Sequence, residues 1–363
     1  MFLDYSVAFE TINHDILISK LEHFGIRGNA LSWFSSYLKD RKQFVQYNDT
    51  KSNSRILNIS VPQGSVLGPC LFNLYINDFT RCSKKLNCIL SADDSTLYLS
   101  GENFWDVISC LNVELNSVYE WTISNKLTLN LKKTNYMIFN RNRNLDTSLH
   151  EAIKINNETI NQVKDATFLG LIIQSNLKWN SHIQFVANKV NKKCGILYLI
   201  RDLVPKNILI GLYYSLVYSH ILYCNVIWGN SCNNHLKPLV IAQKRIVKTL
   251  TYHNRSYSSE ILYKEYNLLN IHKINLYSLC IFVFKNIHSQ LSDIEFVNSA
   301  AMHNYNIRDN HRLTLPSIGS SQSQKSVKYS GASAWNDLPV NIRSINSIVI
   351  FKKQLKEYLI SDS

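Results

Sequence analysis

The feature that most restricts the fold of this chain is a change of hydrophobic period about halfway along it. Up to about residue 175, apolar residues come in short runs broken by Asn, Ser, Gly and Asp. From Trp179 to about Phe284 they recur at helical spacing with few breaks. One layer type cannot satisfy both patterns. The spacing therefore predicts an α+β first part and a mostly helical second part, with no internal repeat.

In the first part, a short strand ends at Asp4. Asn13 or His14 opens a helix through Phe24, with Ile16, Leu17, Leu21 and Phe24 on one face and Gly25 as its stop. A second helix covers 29–38, and 44–47 with 56–61 reads as a strand pair around a polar loop. Gly68-Pro69 sets a proline in the first turn of a helix that runs to about Asn77. Residues 86–91 and 96–100 read as a hairpin with Asp93-Asp94 at its turn. Phe104, Ile108, Leu111, Leu115 and Val118 then follow at helical spacing.

Extended segments at 127–131 and 136–139 come next. A hairpin of 152–155 and 159–163 about Asn156-Asn157 leads to a strand at 168–173. Beyond it, Pro205 starts a helix and 236–250 forms a basic amphipathic one. Residues 317–333 read as a Ser- and Gly-rich connection, and 348–360 as a closing helix.

Bulk properties narrow the class further. With 363 residues, 45% of them hydrophobic, the chain can bury a real core, and it lacks collagen-like or disordered composition. Its formal charge of +13 is concentrated. Between Lys178 and Arg255 there are eleven bases and one acid, Asp202, so ten of the thirteen net charges lie there. A segment so poor in acids favours a polyanionic partner over a merely solvated face.

The eight cysteines are scattered with no CxxC, so reduced thiols are expected and a zinc site or disulfide framework is not. The opening residues have neither a basic n-region nor an apolar h-region, so no signal peptide is expected. The uncharged stretch 208–229 is long enough to span a bilayer, but it carries His220, Asn225, Ser215, Ser219 and four tyrosines. A buried helix is expected there, and no membrane.

Three carboxylates stand out. Adding a nucleotide to a growing strand is an in-line displacement at phosphorus, in which two divalent metals clamp the attacking and leaving oxygens. Mg²⁺ takes hard oxygen ligands, so aspartates converging from neighbouring strands are the minimum requirement. Asp4 ends one predicted strand and Asp93-Asp94 lie in a predicted hairpin. Adjacent aspartates are also common turn residues, so the pair alone has two readings.

Their surroundings weigh on that choice. Phe2-Leu3-Asp4-Tyr5-Ser6-Val7-Ala8-Phe9 through His14, Val61-Pro62-Gln63-Gly64-Ser65-Val66-Leu67-Gly68-Pro69, Ala92-Asp93-Asp94 and Asn130-Leu131-Lys132-Lys133-Thr134-Asn135 occur in that order. Phe168-Leu169-Gly170 comes next, with Trp179 and His182-Ile183 after it. Later come Leu212-Tyr213-Tyr214, Trp228-Gly229-Asn230, Tyr305-Asn306-Ile307-Arg308, Trp335-Asn336-Asp337-Leu338-Pro339 and Phe351-Lys352-Lys353. The ordered set resembles the reverse transcriptases of non-LTR, jockey-type retrotransposons over essentially the whole chain.

The resemblance implies a polymerase palm at 1–175 with a small antiparallel sheet and packed helices. A helical basic thumb would occupy 176–260 and a helical carboxyl-terminal region 261–363, with the fingers missing. It implies RNA-directed DNA polymerase activity on an RNA template, a DNA primer and deoxynucleoside triphosphates, with two Mg²⁺ ions and action in the nucleus.

Asp4, Asp93 and Asp94 would be the metal carboxylates. Phe9 would be the aromatic gate under the sugar, with a core aromatic as its other reading. Gln63 and Gly64 would lie beside the incoming nucleotide and the template base. Lys133 would serve the leaving pyrophosphate, with a solvated lysine as its other reading.

The match departs from the family at Ser91, usually aromatic, and at Val7 and Glu10, usually Lys and Asp. Only three residues precede Asp4, where the family places its fingers. Met1 is therefore expected to be an internal methionine of a longer reading frame, or the element to have decayed. The alternative function is a catalytically dead, nucleic-acid-binding remnant of such an element.

Overall fold

Side-chain caps and left-handed turn residues set many element ends in this chain. Its computed structural model describes residues 1–140, 151–254, 256–289, 292–299 and 311–361. Residues 1–170 and 171–363 form two units, each with a hydrophobic core of its own.

In the first unit, β1 (Phe2–Leu3) is followed by a 3-10 turn at Ala8–Glu10 and by α1 (His14–His23). The Asn13 side chain caps α1, accepting from the Ile16 amide at 3.1 Å, and Gly25 turns the chain away at φ 93°. α2 (Asn29–Leu38) packs on α1. Four short strands follow: β2 (Arg41–Gln43), β3 (Gln46–Tyr47), β4 (Thr50–Lys51) and β5 (Arg55–Leu57), with β2 paired to β5 and β3 to β4.

α3 (Leu67–Ile76) buries Leu71, Phe72, Tyr75 and Ile76. A hairpin of β6 (Asn87–Ser91) and β7 (Asp94–Tyr98) precedes α4 (Phe104–Ser124), which Asn103 caps through the Trp105 amide at 3.0 Å. The unit continues through β8 (Asn135–Tyr136), β9 (Lys154–Ile155), β10 (Glu158–Thr159), β11 (Asn161–Gln162) and β12 (Asp165–Phe168). Asn156 and Asn157 join β9 to β10, both left-handed at φ 49° and 62°, as a two-residue hairpin demands. Five strands form one sheet in the order β11-β8-β1-β7-β6, so β1 lies at its centre.

The second unit opens with β13 (Leu171–Gln174) and is otherwise helical. Its elements are α5 (Asn180–Ile200), α6 (Lys206–Tyr213), a π turn at Tyr214–Tyr218, α7 (Ser219–Leu222), α8 (Asn225–Trp228) and α9 (Asn233–Leu250). After these come α10 (Ser259–Glu265), α11 (Ile271–Ser289), α12 (Val327–Asn336), α13 (Val340–Arg343) and α14 (Ile348–Ser361). One core runs from Leu171 to Leu359.

The tryptophan and histidine signatures of this part are packing devices. His182 accepts the Ile172 amide at Nδ1 (3.2 Å) and meets the Trp228 ring edge-on at 5.5 Å. Burial depresses its pKa to about 4. A side chain at Gly229 would overlap Asn225 and Asn275, which hydrogen-bond each other at 3.1 Å. Among the described residues, no helix is long and apolar enough to cross a membrane.

Several expectations need correction. The strand pair expected at 44–47 and 56–61 is instead two separate ladders. Phe44, Val45 and Ile56 are all exposed, so no buried face fixed the register read from them. Within 127–131, Leu129 makes an isolated antiparallel bridge to Tyr5.

The segment 168–173 is not one strand, because Leu169 (φ 46°) and Gly170 (φ 78°) are left-handed and break it. The expected irregular connection at 317–333 ends early, since α12 starts at Val327. Tyr305-Asn306-Ile307-Arg308 and Arg255 lie outside the described residues.

Candidate active site

Register decides which carboxylates can meet. β1 runs antiparallel to β7, with Phe2 opposite Thr96 and Leu3 opposite Ser95. Asp4 follows Leu3 in the chain and Asp94 precedes Ser95, so both stand at the same end of that ladder, just past its last pair. In the β6–β7 hairpin Ser91 pairs with Asp94, leaving Ala92 and Asp93 as the two-residue turn.

Asp94 is thus a strand residue and only Asp93 is in the turn, which corrects the reading of both as turn residues. Ala92 is left-handed at φ 53°, a conformation that costs a residue with a Cβ about 1–2 kcal/mol. The carboxyl of Asp94 is raised above the ordinary carboxylate value, first by desolvation and then by the charges of Asp93 and Asp4. Asp93 and Asp4 therefore both lie close enough to act on Asp94. Among the described residues, no three His, Cys, Asp or Glu side chains converge as a finished metal-ligand set.

The backbone around Asp4 is fixed from its other side. Asp4 donates its amide to Thr134 Oγ1 at 3.2 Å and accepts the Asn130 amide at its carbonyl at 2.8 Å. The turn between those residues is closed by Asn130, whose carbonyl accepts from the Lys133 and Thr134 amides at 3.1 and 2.8 Å. Lys133 is exposed on this turn, while Thr134 is buried beneath it. Asn130 and Thr134 were legible only as letters of the longer pattern, and no local signal marked them as the clamp on Asp4.

A second group forms around the 3-10 turn. The Phe9 ring stacks on Phe72 of α3, with centroids 4.4 Å apart and planes at 24°. Its carbonyl accepts from the Val61 amide at 3.1 Å, so the loop 61–65 hangs from this turn. Gln63 is exposed and donates to Glu10 Oε1 at 3.4 Å; in the sequence, Glu10 stood out only as a departure from the family pattern.

Gly64 is exposed at φ 79°, where side chains are disfavoured. Gly68 has a different reason to be glycine, since a Cβ there would lie 2.6 Å from the Pro62 carbonyl oxygen. Ser65 Oγ closes the loop, donating to that same oxygen at 2.7 Å and accepting the Gly68 amide at 2.9 Å.

Folding brings Asp4 and Asp93 near enough to oppose the charge on Asp94, and carboxylate oxygens are the hard ligands that magnesium takes.

The sequence comparisons give the site its context. Residues 1–173 match the family model described as reverse transcriptase (RNA-dependent DNA polymerase). The chain is 24% identical to the probable RNA-directed DNA polymerase from transposon X-element of Drosophila melanogaster, over 69% of this chain and 28% of that protein. It is 25% identical to the corresponding protein of transposon BS from Drosophila melanogaster, with the same two shares. It is 21% identical to the RNA-directed DNA polymerase from mobile element jockey of Drosophila funebris, again over 69% of this chain. The chain spans about 28% of the length of these relatives.

Proposed function

We infer that this chain, whose first 173 residues match the reverse transcriptase family model, carries the nucleotidyl-transfer centre of a non-LTR retrotransposon enzyme. The reaction is addition of deoxynucleotides to a primer 3′-hydroxyl on an RNA template. The observation that carries this reading is the β1–β7 pairing, which ends at Leu3 and Ser95 and so brings Asp4 and Asp94 to one end of the ladder, with Asp93 next in the turn. Asp4, Asp93 and Asp94 would hold two Mg²⁺ ions, which supply the positive charge for the attacking and leaving oxygens. Drawing the three side chains together in that way would also relieve the repulsion felt at Asp94.

The protein's own residues have separate tasks. Phe9, braced by Phe72, packs under the sugar, where a ring leaves no space and no hydrogen bond for a 2′-hydroxyl. Gln63 and Gly64 border the incoming nucleotide and template base, with glycine allowing close backbone approach. Lys133, on the turn that clamps Asp4, stabilises the triphosphate or gives a proton to the leaving pyrophosphate. Residues 1–175 act as palm, 176–260 as a thumb that grips primer and template by phosphates, and 261–363 as a helical carboxyl-terminal region. The resemblance to retrotransposon enzymes implies that this reaction would take place in the nucleus.

A second reading, a nucleic-acid-binding remnant without catalysis, draws on the lack of a finished ligand set among the described residues. Primer extension on an RNA template separates the two. Metal-dependent extension is expected from the parent chain, with a loss of roughly 10³-fold in Asp93→Asn if one metal ligand supplies several kcal/mol. Equal extension by both proteins, or none by either at any Mg²⁺ concentration, would sink the polymerase reading.

A further inference from the structure

We propose that a cleft in the second unit, between the end of α5 and the later half of α9, binds unpaired nucleic acid by taking a phosphate and a base together. The cleft has a volume of about 620 Å³ and is lined by Tyr198, Arg201, Lys244, Arg245, Lys248 and His253 among others. None of its lining residues is acidic. Two carboxylates outside the lining pair with its cations, Asp202 at 3.7 Å from Arg201 and Glu260 at 3.8 Å from Lys244, each beyond hydrogen-bond distance. A concave surface lined by Arg201, Lys244, Arg245 and Lys248 with no acid in the lining itself favours an anion.

The aromatic rings make the choice more specific. The Arg201 guanidinium lies over the Tyr198 ring at 4.3 Å and over the Tyr252 ring at 4.9 Å. The Tyr252 hydroxyl donates to the Arg201 carbonyl at 2.5 Å, which holds ring and cation in one geometry. Both rings nevertheless stay more than half exposed, Tyr198 at 55% and Tyr252 at 54%.

Exposed tyrosines braced by a cation are a platform for flat, electron-rich groups beside a phosphate. A duplex hides its base faces, so only an unpaired strand can use the rings and the cations at once. Arg201 Nε and His253 Nδ1 are also buried there with no hydrogen-bond partner among the described residues. The site is thus distinct from a duplex grip through phosphates, and it does not depend on the carboxylate chemistry of the first unit.

The test is fluorescence anisotropy with the full chain in EDTA and without nucleotides, using a labelled single-stranded RNA, the same sequence as a duplex, and phosphatidylserine vesicles. Tighter binding of the single strand is expected. Tyr198→Ala should weaken it about 5-fold or more, while Tyr198→Phe keeps it, as removal of one stacked base predicts. The double change Lys244→Ala, Arg245→Ala should lower the slope of log affinity against log salt by about 1.4, roughly 0.7 for each phosphate that is no longer neutralised.

Asp93→Asn should bind like the parent, so failure of the polymerase reading and failure of this site would be seen separately. Equal affinity for single strand and duplex overturns the proposal. So does vesicle binding that falls in parallel with RNA binding in the variants, or RNA binding that none of the variants alters.

Discussion

At the scale of single residues, the candidate site is a place where local preference is overruled. Ala92 takes a left-handed turn, and Asp94 carries a charge that its neighbours oppose. The sign of that opposition gives a stability test. In the folded protein the Asp94 carboxyl holds its proton to higher pH than in the unfolded chain, where its ordinary value is 3.8. The fold is therefore penalised once pH rises above that value, and the penalty is absent below it.

Asp94→Asn is expected to melt higher than the parent near pH 7, although it removes a proposed metal ligand. The gap should close as pH falls to about 4. Melting curves at the two pH values check this. An Asn variant that is less stable at neutral pH would mean the carboxylate is needed to hold the hairpin together.

At the scale of elements, legibility followed the strength of local signals. The ends of α1 and α4 could be read because Asn13 and Asn103 cap through their own side chains. The β9–β10 turn was legible in Asn156-Asn157 because a two-residue hairpin needs positive φ at both positions. The polar stretch 41–57 offered no buried face, so its pairing could not be inferred.

The start of α12 was missed because small residues read as loop. Gly331, Ala332 and Ala334 are small because α12 packs closely on α11, where a Cβ at Gly331 would sit 3.0 Å from Val283. Phe9, Gln63, Gly64 and Lys133 were named from sequence pattern, but their supports Phe72, Glu10 and Asn130 needed coordinates.

The clamp on Asp4 belongs to this scale, since it joins β1 to the turn 130–134. Thr134→Val removes the acceptor of the Asp4 amide with little change of shape. It is expected to cost about 1 kcal/mol in denaturant unfolding, the usual net worth of one part-buried hydrogen bond. Unchanged stability would show that this hydrogen bond does not fasten Asp4.

At the scale of the whole molecule, the two hydrophobic periods in the sequence pointed to a mixture of small sheets and many helices, which the chain has. It divides into units at 170 and 171; the first carries the carboxylates, and the second the basic helices α5 and α9. That Asp4 and Asp94 stand at one end of a ladder was not readable, because they lie far apart in sequence and only the β1–β7 pairing brings their strands together.

Divalent-ion binding therefore reports on tertiary structure directly. The most direct measurement is a Mn²⁺ titration followed by electron paramagnetic resonance on the parent, Asp4→Asn, Asp93→Asn and Asp94→Asn proteins. If the three carboxylates form one centre, the parent binds the ion and each single substitution weakens that binding. Mn²⁺ binding that persists unchanged in Asp4→Asn or in Asp94→Asn would contradict the account.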